Sequence, residues 1–173
     1  ISPTDLHFGS SAWVDETGNH YDTEEAKERL MERTENLISR MPGRPEKIFL
    51  ATGSDWFHID NEQGMTTKGT PQDLSASPSQ IFIDGCMLAQ EHIELLRSVA
   101  PVEVYFMRGN HDRHLSIALM MFLKATYAET EDVTVHLDPK LRQYTSYGNT
   151  LIGFTHGDGV KGADLPSLMA KEE

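Results

Sequence analysis

Val102-Glu103-Val104-Tyr105-Phe106-Met107-Arg108-Gly109-Asn110-His111-Asp112 passes without a break from a β-branched and aromatic run into a tight polar turn. A run of this kind, closed by glycine, reads as a buried strand. Two others share its character, Lys47-Ile48-Phe49-Leu50-Ala51 and Leu151-Ile152-Gly153-Phe154, and each also leads into a turn bearing glycine or histidine. Between them lie segments of helical period. Residues 23–41 carry Ala26, Leu30, Arg33, Leu37 and Met41 at three- and four-residue spacings, with Asp22 and Glu25 as a capping pair and Pro42-Gly43 as the stop. Further helices are expected over about 79–99 and about 113–127. Strands alternating with helices predict an α/β fold.

Toward the end of the chain, two strand-like stretches at 141–146 and 150–155 flank Tyr147-Gly148-Asn149, which reads as a β-hairpin. The stretch 61–78 is polar, broken by Gly64, Gly69, Pro71 and Pro78, and has no period. A loop of that length is expected to be functional or mobile. At 173 residues, the chain has the size of one domain, 1–173.

Composition narrows the function classes. Hydrophobic residues at 38% and charged residues at 24% are ordinary for a folded soluble chain, and no run approaches the roughly 20 apolar residues of a membrane helix. No membrane partner is expected. The single cysteine, Cys86, cannot close an internal disulfide and reads as a buried helical thiol. With no targeting segment at Ile1, a reducing, cytoplasmic location is the expectation. The formal charge of −12 argues against a broad basic surface for nucleic acid. For a metalloenzyme that argument is weak, because carboxylates gathered at a site inflate the count and bound cations reverse the local field.

Four short signals stand at or near strand ends or at the chain's start: Asp5-Leu6-His7, Gly53-Ser54-Asp55, Gly109-Asn110-His111-Asp112 and His156-Gly157. In open α/β sheets, sites gather at the carboxyl ends of strands, so these signals can converge. Carboxylates, imidazoles and an amide, with no thiolate, suit a borderline divalent ion such as Mn, Fe or Zn. On an extended strand end Asp5 and His7 would point to the same side and grip one ion. Asp55 has two oxygens and can bridge two ions, and Asn110 binds without adding charge. Two ions polarise a phosphoryl oxygen and clamp an in-line displacement. His111 would then act on the leaving oxygen, with Asp112 orienting it.

In this order, the four signals resemble the first four motifs of the calcineurin-like metallophosphoesterases, over nearly the whole chain. The resemblance implies a four-layer αββα sandwich, two mixed sheets flanked by helices, with a dinuclear site at the strand ends. It implies Asp5 and His7 on the first metal, Asp55 bridging, Asn110 and His156 on the second, and His111 as the catalytic histidine. The two ions would be manganese first, with iron, zinc or magnesium as alternatives. Asp55-Trp56-Phe57-His58-Ile59-Asp60-Asn61 is similar to the second motif of the DNA double-strand-break repair nucleases of this superfamily, and to phage-type phosphoesterases. That likeness implies His58 as an auxiliary catalytic residue and DNA or a nucleotide ester as substrate. Trp56 and Phe57 themselves read as core more readily than as a base-stacking platform.

The chain departs from the family pattern in three places. Ser54 precedes the aspartate where the family has glycine, and Asp158 stands where many members carry a second histidine. The last family motif, Gly-His-x-His, is absent, so the domain is expected to be truncated at its C-terminus. The primary reading is a metal-dependent phosphoester hydrolase, a nuclease or phosphodiesterase. The alternative is a non-catalytic scaffold on the same fold. His20, His92 and His136 are expected to be surface or satisfied residues, with His114 a minor candidate to face substrate.

Overall fold

The computed structural model describes residues 1–172. Its centre is a parallel sheet of β1 (Ile48–Gly53), β2 (Val102–Met107) and β3 (Val133–His136), in that order, with Gly53 of β1 opposite Met107 of β2. The hydrophobic runs therefore end side by side. β3 was not anticipated, although Val133-Thr134-Val135-His136 has strand composition. A second, two-stranded antiparallel sheet is formed by β4 (Arg142–Tyr147) and β5 (Thr150–Thr155), joined through Gly148 and Asn149. Gly148 has φ +56°, which the tight turn requires. The expected hairpin is present, but β5 is not a buried strand: Leu151 is 38% exposed.

Among the described residues the remaining elements are five α-helices, α1 (Val14–Thr17), α2 (Thr23–Ser39), α3 (Pro78–Arg97), α4 (Arg113–Thr126) and α5 (Leu165–Glu172), and a 3-10 turn at Gly162–Asp164. α3 and α4 are the crossovers of the parallel sheet, and α3 packs against both α2 and α4. α2 starts as its capping pair dictates, with the Asp22 carboxylate accepting the Glu25 N–H at 2.9 Å. Its buried face is Ala26, Leu30 and Thr34, whereas Leu37, expected inside, is 52% exposed. The face is rotated because Thr34 turns inward to His92 of α3, at 2.9 Å from its Nε2.

The core runs through Leu50, Val104 and Phe106 of the sheet to Ile81, Ile93, Leu96, Leu119 and Leu123 of the helices. Trp56 and Phe57 are fully buried in it. Gly85 of α3 makes room for Phe57, since a β-carbon there would fall 2.2 Å from the ring. Cys86 is buried on α3, and burial pushes its thiol up to about 11. On the opposite face of the sheet β2 contacts both strands of the hairpin, where Tyr105 stacks on Phe154 and its hydroxyl is hydrogen-bonded with that of Thr145 at 2.9 Å. No helix among the described residues is long and apolar enough to cross a membrane.

Candidate metal centre

The first eight residues run beside β1 and the turn that follows it, bonded by isolated main-chain contacts. The N–H groups of Asp5, His7 and Phe8 donate to the carbonyls of Ser54, Asp55 and Trp56 at 2.9, 2.9 and 2.8 Å. This irregular pairing sets Asp5-Leu6-His7 against the turn that follows β1. It is not an extended strand end: φ is +54° at Asp5 and +47° at His7. The two side chains share a side because of these left-handed turns, not because of pleat, and Asp5 Oδ1 lies 3.8 Å from His7 Nε2. Ser54 and Asp55 are left-handed too, at +58° and +61°. Among the described residues, these four are the only non-glycine positions with positive φ. Each such position costs of order 1 kcal/mol, and outliers of this kind cluster at functional sites.

Asp55 is the hub. Its side chain is 3% exposed, Oδ1 accepts the N–H of His111 at 2.8 Å, and Oδ2 is 3.3 Å from Nε2 of His156. Gly109 lets the second turn come this close, because a β-carbon there would fall 2.1 Å from Asp55 Oδ1 and 2.3 Å from its amide nitrogen. Gly53, at φ +96°, is equally constrained by the Met107 carbonyl, 2.1 Å from where its β-carbon would be.

His156 comes from the far sheet, one residue past β5, and its ring is wedged among three groups. Nδ1 is 2.8 Å from the Ser54 hydroxyl and Nε2 is 3.0 Å from Asn110 Oδ1. Both the Asn110 oxygen and the Asp55 carboxylate accept only, so Nε2 carries the proton and Nδ1 accepts from Ser54. The side chains of Asp55, Asn110 and His156 thus converge on one shared proton.

Three further histidines form a second knot. His7, His58 and His111 pack edge to face or stacked, with centroids 4.6 to 5.5 Å apart. His111 Nδ1 is 3.2 Å from the His58 carbonyl, an acceptor, so Nδ1 is the protonated nitrogen and Nε2 keeps its lone pair. Burial, and then its neighbours His7 and His111, push His58 down to about 4. Burial and then His111 also lower His7. Both rings are thereby kept neutral, the form that binds a metal.

Two groups of residues can each place one ligand atom apiece within 4.8 Å of one another: Asp5, Asp55 and His156, and His7, His58 and His111. A divalent pair fits this donor set. Nδ1 of His7 and Nδ1 of His58 are buried without a hydrogen-bond partner, and carboxylate, imidazole and amide donors meet at one end of the sheet.

Asp112 does something other than orient His111. Its fully buried carboxylate accepts the Phe57 N–H at 2.8 Å and the Ser116 hydroxyl at 2.6 Å, and burial raises it to about 7. It ties the Trp56-Phe57 segment to the start of α4. Trp56 is held by its indole N–H on the Gly85 carbonyl at 3.1 Å, so neither aromatic forms a platform for bases. Asp158, in the place of a second histidine, is 3.5 Å from the Arg113 guanidinium. His20 pairs with Asp22, His136 with Glu103, and His92 with Thr34, all away from the cluster.

Sequence reading missed Ser54 as a partner of His156, and it gave no role to Asp60 or Thr67. The signal that could have found it is a serine directly before Asp55, where the family pattern has glycine. The chain matches no family model, no curated protein and no solved structure.

Proposed function

We propose that the protein is a metal-dependent phosphoester hydrolase with a dinuclear centre on a four-layer sandwich of the calcineurin-like type. The observation that carries this reading is the convergence on Asp55. Segments from residues 5, 55, 110 and 156 reach one point at the carboxyl ends of β1 and β2, through the contacts of Asp55 with His111 and His156 and of His156 with Asn110. Concentration of left-handed backbone at Asp5, His7, Ser54 and Asp55 supports it, because such strain clusters at functional sites.

Asp5, His7, Asp55, Asn110 and His156 would hold the ions, manganese first, with His58 beside them. Bound there, two divalent ions supply Lewis acidity to a phosphoryl oxygen and make hydroxide available at neutral pH. Asp55 reaches toward His156 with one oxygen while the other stays on the His111 N–H, which fixes its rotation. His111, with its Nδ1 proton held on the His58 carbonyl, would take the proton of the attacking water at Nε2 and pass it to the leaving oxygen. Asp112 supports the turn from below and is a positioning residue.

The substrate class is a phosphomonoester or phosphodiester, with a nuclease or phosphodiesterase as the favoured form. The test is hydrolysis of bis(p-nitrophenyl) phosphate, p-nitrophenyl phosphate and single- and double-stranded DNA with added manganese. Turnover that vanishes in Asp55→Asn and falls at least about 100-fold in His111→Ala is expected. Wild-type protein that binds manganese and turns over none of these esters would instead support the scaffold reading.

A further inference from the structure

We propose that Asp60 and Thr67 are positioning residues that hold His111 in its working place, a role that rests on the phosphoesterase reading. The Asp60 side chain is 2% exposed, and its carboxylate is fully occupied. Oδ1 accepts the N–H groups of His114 at 2.7 Å and Leu115 at 3.0 Å, and Oδ2 accepts the Thr67 hydroxyl at 2.8 Å and lies 2.8 Å from His114 Nδ1. Thr67 continues the chain of bonds. Its N–H donates to the His111 carbonyl at 2.8 Å, and its hydroxyl oxygen accepts the Arg113 N–H at 3.1 Å.

The need for this arrangement comes from Asp112. As the N-cap residue of α4 it makes no side-chain cap, because its carboxylate is turned to Phe57 and Ser116. The first N–H groups of α4 would be unsatisfied. Asp60 and Thr67, arriving from the irregular stretch after His58, take those of Arg113, His114 and Leu115. These donors are therefore not on offer to a phosphate, and the bonds work inward, on the turn. His111 is gripped at its N–H by Asp55, at its carbonyl by Thr67 and at its ring by the His58 carbonyl. Two of the three grips come from residues 58–67. The stretch read as a mobile loop is thus pinned at its start, with Asp60 N–H also on the Met65 carbonyl at 2.8 Å and Thr66 N–H on that of Thr70 at 2.9 Å.

The experiment compares Thr67→Val, Thr67→Ser and Asp60→Asn with wild type, by steady-state hydrolysis of bis(p-nitrophenyl) phosphate with manganese and by the ring ¹⁵N–H resonances of His111 in zinc-loaded protein. In Thr67→Val, kcat is expected to fall about 10- to 100-fold with KM unchanged within about twofold, and the His111 Nδ1–H resonance to shift or broaden. Asp60→Asn points an NH₂ group at the Thr67 hydroxyl and should act in the same direction. Thr67→Ser keeps both hydroxyl bonds and should restore kcat and the resonance. A Thr67→Val enzyme with wild-type kcat, or an unmoved His111 resonance, overturns the proposal. If wild type hydrolyses no ester, the phosphoesterase reading fails, and the resonance alone decides whether Thr67 positions His111.

Discussion

The two halves of the candidate centre are built differently. Asp55, Asn110 and His111 stand on turns that continue the parallel sheet, where glycines without room for a β-carbon and main-chain bonds leave little freedom. His156 is delivered by a hairpin with exposed positions on both strands, and it reaches the centre through side chains, Ser54 and Asn110. The core-borne half is set by folding of the sheet itself. The hairpin-borne half depends on a few polar contacts, which an ion would replace with stronger ones. That contrast predicts large stability effects in the first half and mainly ligand-binding effects in the second.

The largest effect is expected at Gly109. In Gly109→Ala, the new methyl group meets Asp55 backbone and carboxylate together, so the cost is about 3 kcal/mol, a fall of about 10 °C in melting temperature, with loss of metal binding. Calorimetry checks the first and metal analysis the second. A fully stable variant would erase the contrast.

Acid should attack the core-borne half through its helical layer. His92 is fully buried with Thr34, and burial pushes it down to about 4 from an ordinary 6.5. The unfolded chain takes up a proton near 6.5 while the folded one resists until about 4, so stability is full above 6.5 and declines as pH falls through this window. His92 contributes about 3 kcal/mol to this loss. Denaturant titrations at several pH values should find this slope in wild type and a flatter one in His92→Leu.

Smaller effects belong to the hairpin side. Ser54→Ala should weaken manganese binding about 10-fold and cost about 1 kcal/mol, read by calorimetric titration and by unfolding. An equal loss of binding and of several kcal/mol would mean the hairpin is as much part of the core as the sheet. Smallest of all, Asp158→Asn removes a half-exposed pairing with Arg113 and should change stability by no more than about 0.5 kcal/mol in a melting curve.

Much of the fold was legible in the sequence. The apolar run at Val102 to Met107, the Asp22 cap and the Gly148-Asn149 turn are local signals, and each is visible in a few residues. What was not legible depends on distant partners. Thr34 is buried in place of Leu37 because His92 lies across from it. Asp112 points away from His111 because Phe57 and Ser116 claim its carboxylate. Asp5 and His7 share a side through left-handed backbone that no alternation pattern announces. Asp60 and Thr67 cap a helix that begins far along the chain, so neither has a recognisable local signature.

The central claim is that four separated segments form one divalent-ion centre around Asp55. Equilibrium dialysis against manganese, followed by elemental analysis of wild type and Asp55→Asn, tests it most directly. The account predicts two ions per chain in wild type and a loss of both, or of all but weak binding, in the variant. Wild-type protein that retains no manganese, or an Asp55→Asn protein that retains as much as wild type, would contradict it.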